Sequence, residues 1–452
     1  MPSRSQISLD RFVDEQRIGK FTLNVLFWCF LAMFSDGYEI TSMSLAAAEL
    51  RSLWHVPDAS FTWALSASSC GILLGAPAFG WLGDRYGRKR AIVWSTLVCA
   101  LSTLAVVAAN SIGVIAILRL IAGIGIGGLM PNTIALSSEM APKRRRATLV
   151  VLMFAGVTLG GSTPALIARW LLPSHGWTVL FEFGGWFGLG TACGIGLLMP
   201  ESIRFLAVSK RRPAELLAIV RRMRPDLNIT GEVDWSVAPA QDSQGSGWRQ
   251  LFAPGLRQVT PLLWVCFAAT LMTHYFLNSW LPLLGAASGL SREQISLTAM
   301  LYNVGGTLGG ILMSVLMDRY GFVIIALLFG LAVPSIALLG LTGMSGPALL
   351  PLVFVAGLAV LGAQFGNNAA AGMLYPTEFR AKAVGWALGV GRLGSILGQV
   401  LGGVLIEWHV PLRGLLLGAS LPMLIGAAAA ARLTRKRGAV VPDSLCAPLL
   451  DE

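Results

Sequence analysis

Charge is scarce in this sequence. Only 13% of its 452 residues are Asp, Glu, Lys or Arg, against 55% apolar, which is too little to clothe the two or three soluble domains that the length allows. Cysteine offers no framework either. Cys29, Cys70, Cys99, Cys193 and Cys266 fall inside apolar runs and Cys446 lies in the tail, so neither a disulfide set nor a metal-ligand spacing follows. A nucleophile elbow, a zinc spacing and a phosphate-binding loop with its lysine are all lacking. That excludes the common hydrolytic constellations and ATP hydrolysis as the energy source; no metal or cofactor is expected. Residues 1–20 are polar and mixed in charge, with no apolar core before a small-residue cleavage site, so the first apolar run is expected to act as its own insertion signal.

What is abundant is glycine, with 52 copies, and long apolar runs. Runs of about twenty residues cross a hydrocarbon layer of about 30 Å as helices, and glycine lets such helices pack closely. About twelve are legible, near 21–45, 60–82, 91–110, 112–137, 147–170, 177–199, 259–284, 293–317, 322–343, 347–374, 383–407 and 411–432. The segment between the sixth and seventh, 200–257, reads as amphipathic surface helices followed by a flexible linker around Asp242 to Gly247. The expected fold is an all-α membrane protein of twelve transmembrane helices in two pseudo-symmetric bundles of six, 21–199 and 258–432, flanked by tails 1–20 and 433–452.

The formal net charge of +11 is orientation charge rather than a nucleic-acid footprint. Basic residues crowd the loops after runs 2, 4, 6 and 10 and both termini, whereas the loops after runs 1, 3, 7 and 9 carry at most one each, Arg51 and Arg292. The positive-inside rule places both termini and the central segment in the cytoplasm.

The hexapeptide Leu82-Gly83-Asp84-Arg85-Tyr86-Gly87 returns with one change as Leu316-Met317-Asp318-Arg319-Tyr320-Gly321, 234 positions on (318 minus 84). Two copies of one membrane unit are the usual build of a secondary transporter, with the site expected between them. The copies are unequal: Arg88-Lys89-Arg90 follows the first, Phe322-Val323-Ile324 the second.

Ionisable residues inside apolar runs cost several kcal/mol and mark functional positions. Asp36 and Glu39 stand three apart, on one face of a helix. Two acids this close in a poorly hydrated cavity are not both ionised cheaply, which suits one of them to carry a proton. The alternative is a helix that ends before Asp36 and leaves the pair solvated. Arg119 reaches a depth that Asp36 or Glu39 can share and is the expected charge partner. The glycines after it, Gly123 to Gly128, match a dinucleotide fingerprint but lack the preceding strand of a soluble fold, so they are read as helix packing. Near the midplane of run 11, Arg392 is a docking point for an anionic carboxylate, or else a structural partner of an acid on another helix. His274, Tyr275, Trp280, Gln364, Asn367 and Asn368 offer an aromatic and amide lining for a small flat ligand, and helix packing accounts equally for any single one of them. Glu182 has no clear partner.

Taken together these residues resemble the major facilitator superfamily over nearly the whole chain. Gly80 to Arg90 is similar to its signature loop, including Gly80, Asp84, Arg85, Gly87 and Arg88, and Pro200-Glu201-Ser202-Ile203-Arg204 to the segment after helix 6. Within it the resemblance is to the aromatic acid:proton symporters. It rests on Asp36-Gly37-Tyr38-Glu39, Pro131-Asn132, Glu139 to Arg146, Tyr275-Phe276-Leu277 with Trp280-Leu281-Pro282, Tyr375-Pro376-Thr377-Glu378 with Arg380, and Gly389-Val390-Gly391-Arg392. The second acid of the first run is Asp in that family and Glu39 here. The resemblance implies proton coupling at Asp36 and Glu39 and gating by Asp84; the duplication makes Asp318 and Arg319 its second-copy counterparts, and Tyr38 is expected among the substrate-binding residues. It implies a bacterial inner-membrane importer of a small aromatic acid with protons, working as a monomer in the lipid bilayer without nucleic acid. Rival readings are a symporter of nicotinate or of a ring-cleavage product, a proton-driven exporter, and a receptor that moves no solute.

Overall fold

In hydrocarbon every peptide group must find its hydrogen bond within the protein, and a single segment achieves this only as a helix. The computed structural model describes residues 6–16, 18–209, 212–224, 234–236, 251–253, 256–375 and 380–436, and it is nearly all helix. The long helices, in chain order, are α1 (Lys20–Trp54), α2 (Thr62–Tyr86), α3 (Arg88–Val106), α4 (Ile112–Glu139), α5 (Lys143–Trp170), α6 (Thr178–Leu198), α7 (Val259–Ala287), α8 (Arg292–Tyr320), α9 (Val323–Leu341), α10 (Leu349–Leu374), α11 (Arg380–Glu407) and α12 (Leu412–Lys436). Among the described residues eleven are long and apolar enough to span a bilayer. A twelfth span forms if α6 is joined to the short helix Ile203–Ser209, from which it is bent by 54°. Pro77, Pro131, Pro164, Pro282, Pro334 and Pro422 sit inside helices, as neighbouring helices in a membrane allow.

Two boundaries differ from the sequence reading. α1 does not stop near residue 45 but runs on to Trp54, because Ala46 to Leu50 are good helix formers. Its 35 residues extend about 52 Å, well beyond a hydrocarbon core, and Asp36 and Glu39 lie inside it rather than past its end. The repeated hexapeptide, read as a loop, is the last turn of a helix in both copies. Only the closing glycines turn the chain, Gly87 at φ +110° and Gly321 at φ +63°, where a side chain would be strained.

Contacts divide the chain into two compact units, Met1–Ala46 with Trp63–Asp242 and Ala47–Thr62 with Ser243–Glu452. Inside the first, α3 packs on α4 and α6; inside the second, α7 packs on α11 and α12, and α8 on α10. The tightest approaches are glycine against backbone. Gly71 and Gly75 of α2 meet the carbonyls of Leu120 and Ile124, Gly123 of α4 meets that of Ser68, and Gly160 of α5 meets that of Phe34. In the second unit Gly305, Gly309, Gly357 and Gly394 meet Phe354, Leu358, Tyr302 and Ala268 in the same way. Every glycine and every partner is displaced by 234 positions (305 minus 71, 354 minus 120, and so on). The duplication legible in six residues thus extends, without insertion or deletion, through the α2–α4 and α1–α5 interfaces and their copies α8–α10 and α7–α11.

The segment before α1 is not a loose tail. Strands β1 (Gln6–Ser8) and β2 (Asp234–Ser236) pair in parallel, with Ile7 opposite Trp235. Phe12 meets Trp235 edge-on at 5.6 Å, and Gln16 donates to the carbonyl of Met140 at 2.6 Å. Leu9, Phe12 and Val13 join a core with Leu216, Ile219, Val220 and Met223, the apolar face of the helix Pro213–Met223. The expected linker around Asp242 to Gly247 lies outside the described residues.

Candidate functional site

In the first unit four helices converge on one ion pair. Arg119 of α4 donates from one terminal nitrogen to Glu39 Oε2 of α1, and from the other to the main-chain oxygen of Glu39 at 2.6 Å. Both side chains are nearly inaccessible, Arg119 at 2% and Glu39 at 3%. Thr103 of α3 donates to Glu39 Oε1 at 2.7 Å, and Ser68 of α2 to the main-chain oxygen of Arg119 at 3.1 Å. Asp36 is buried one turn before Glu39. Of the two acids expected to share Arg119, Glu39 makes the direct contact. An ion pair this dry survives only while both members stay charged, so a proton on the carboxylate weakens the bond between α1 and α4. Tyr38 faces elsewhere: its hydroxyl donates to the Leu180 carbonyl of α6 at 2.7 Å and its ring packs on Phe183.

In the second unit Arg392 of α11 donates to the Tyr275 hydroxyl of α7 at 2.6 Å, with its guanidinium 5.9 Å from the ring centre. Tyr275 stands edge-on to His274 at 5.2 Å, and His274 stacks on Tyr302 of α8, with Nδ1 3.0 Å from the Tyr302 hydroxyl. This row runs Arg392, Tyr275, His274, Tyr302. On the α10 side of α7, Thr270 donates to Gln364 Oε1 and accepts from Asn367 Nδ2 at 3.2 Å, while Gln364 reaches Asn368 at 3.4 Å. Arg392 and Gln364 are half-buried and Asn368 is exposed. Trp280, 0% exposed, donates instead to the carbonyl of Gln399, and Asn367 is likewise enclosed. A guanidinium on a phenol beside amides can bind a carboxylate and a polar ring substituent.

A third cluster lies where α2 and α4 end and α3 begins. Asp84 pairs with Arg88 at 2.5 Å, Arg88 lies 3.9 Å from Glu139, and Glu139 accepts from the Ser202 hydroxyl. Glu201 Oε1 accepts the main-chain N–H groups of Lys89 at 3.0 Å and Ser202 at 2.9 Å, closing the turn at Gly87. Arg85 is not in this network; it packs over Trp81 and Tyr86, as Arg319 does over Tyr320. Gly80 has nothing within 4 Å of the position of an added Cβ. The side chains of Asp318 and Arg146, and residues 376–379, lie outside the described residues. Glu182 is half-buried on α6.

Sequence reasoning missed Thr103, Ser68, Thr270 and Tyr302. A Ser or Thr hydroxyl in an apolar run more often bonds to its own helix, as Ser102 does to Val98 at 2.7 Å, so composition alone does not single out the few that reach across.

The profile of the Major Facilitator Superfamily matches residues 27–291 and 263–445. The chain is 32% identical to the gallate transporter of Pseudomonas putida over 94% of its own length and 92% of that protein. It is 33% identical to the 4-hydroxybenzoate transporter PcaK of Acinetobacter baylyi over 89% of each. Among solved structures it is similar to a bacterial homologue of the human lysosomal transporter Spinster in an inward-facing, unoccupied conformation, with a TM-score of 0.68 at 17% identity, covering 93% of this chain and 98% of that one. With the repeated helical units and eleven to twelve apolar spans, these matches identify the chain as a multi-pass membrane transporter that belongs to the Major Facilitator Superfamily.

Proposed function

We propose that this chain is a proton-coupled importer of a small aromatic carboxylate of the hydroxybenzoate type, working by alternating access in the bacterial inner membrane with both termini in the cytoplasm. The observation that carries the reading is Arg392, a half-buried arginine whose guanidinium bonds the Tyr275 hydroxyl and lies over its ring. Relatives named for gallate and 4-hydroxybenzoate support the substrate class. In the proposed cycle a proton from outside enters at Asp36 and Glu39 and loosens the Glu39–Arg119 pair. The substrate carboxylate then docks on Arg392, its ring beside the aromatic row and its ring substituent on the amides of Gln364 and Asn368. The protein changes state, and both ligands leave inward. Asp84, through Arg88 and Glu139, is the proposed latch of one state.

The test is uptake of labelled 4-hydroxybenzoate by cells expressing the chain, competed by benzoate, gallate, nicotinate and an aliphatic dicarboxylate. Hydroxylated benzoates should compete best. Arg392→Gln, which forfeits a charge-assisted bond of about 1.5–3 kcal/mol, should raise the apparent KM by roughly 10- to 100-fold. Competition led by nicotinate or the dicarboxylate, or an unchanged KM, refutes the assignment.

A further inference from the structure

Between α2 and α3 lies a groove that the transport chemistry leaves unused. Its volume is about 510 Å³, and it is lined by Phe79, Leu82, Tyr86, Arg90, Trp94 and Val98. The lining follows helical spacing: Phe79, Leu82 and Tyr86 are three and four apart on α2, and Arg90, Trp94 and Val98 are four apart on α3. From Arg90 to Val98 the rise is about 12 Å, most of the roughly 15 Å depth of one leaflet's hydrocarbon. The groove is therefore an apolar slot as long as much of an acyl chain, with a single cation at its polar end.

The engagement of that cation decides the occupant. Four cations stand between residues 85 and 90, and Arg90 is the one that lines the groove. Arg85 packs over Trp81 and Tyr86, Arg88 pairs with Asp84 and Glu139, and Lys89 lies in the field of Glu201 and Glu215. Arg90 is exposed and has no carboxylate partner among the described residues. Trp94 and Tyr86, apolar bodies with polar tips, are the side chains that favour the boundary between headgroup and hydrocarbon.

We propose that this groove binds an anionic phospholipid, with one acyl chain in the slot and the phosphate on the Arg90 guanidinium. A zwitterionic lipid fills the slot equally well but brings a cation beside its phosphate. The preference for the anionic headgroup is then about fivefold, the effect of one cation at a membrane surface.

The experiment is native mass spectrometry of the full-length chain in detergent with equimolar phosphatidylglycerol and phosphatidylcholine of identical chains. The wild type should retain phosphatidylglycerol about fivefold over phosphatidylcholine. Arg90→Gln should equalise the two at an unchanged thermal midpoint, and Arg90→Lys should keep the preference. Val98→Trp, which fills the slot, should lower retention of both, and Arg145→Gln, at an exposed arginine elsewhere, should change neither. A preference that survives Arg90→Gln, or retention that survives Val98→Trp, overturns the proposal. So does displacement of phosphatidylglycerol by an equal concentration of palmitate, which would make the slot a general fatty-acid site.

Discussion

Glu39 and Arg119 show how little of the chemistry was duplicated with the scaffold. At the 234-residue offset their counterparts are Thr273 and Val353, while those of Tyr275 and Arg392 are Thr41 and Thr158. The Glu39–Arg119 ion pair thus belongs to one copy and the arginine on a phenol to the other. Because both partners of the ion pair are inaccessible, removing one charge strands the other at a cost of about 3–5 kcal/mol. Glu39→Gln should therefore lower the thermal midpoint in detergent sharply, and Glu39→Gln combined with Arg119→Gln should recover part of the loss. A double variant no more stable than the single one would show that the two charges do not stabilise each other. Glu39→Asp, which keeps a carboxylate opposite Arg119, should be milder in effect.

The pairing of elements is set by glycines that hold backbones in contact. A Cβ at Gly71 or at its copy Gly305 runs into a helix carbonyl, so Gly71→Val and Gly305→Val should each destabilise by about 1–3 kcal/mol or more. Gly190→Ala on α6, with open space around it, should be neutral or stabilising by up to about 1 kcal/mol. Thermal midpoints of the purified variants check this; equal effects at all three positions would rule out close packing as the cause. These same elements mark what was legible in the sequence. Helix number, the duplication and the buried charges follow from long apolar runs, a repeated hexapeptide and the cost of charge in hydrocarbon. The choice of Glu39 over Asp36 for Arg119 depends on helix rotation, which no periodicity in an apolar run records. The placement of Tyr38 and Trp280 against neighbouring helices was hidden for a related reason: an aromatic inside a span carries the same sequence signal whether it lines a cavity or fills an interface. The pairing of residues 6–8 with 234–236 joins segments more than 220 positions apart, and three-residue strands leave no local pattern.

For the whole molecule the proposed account is one of charge balance. Two of the cations expected at the outer ends, Arg51 and Arg292, each meet a carboxylate, Asp58 at 2.5 Å and Glu49 at 2.7 Å, which offsets their charge locally. In the proposed cycle the buried Glu39–Arg119 pair is the place that a proton enters. One proton moving with one monoanion carries no net charge, so transport should answer to the pH gradient and not to the voltage. The most direct measurement is uptake of labelled 4-hydroxybenzoate into proteoliposomes of the purified chain, under an imposed pH gradient or an imposed potential alone. The account predicts accumulation with acid outside, its loss when nigericin collapses the pH gradient, and no accumulation from the potential alone. Uptake against a concentration gradient that persists after the pH gradient is abolished would contradict it.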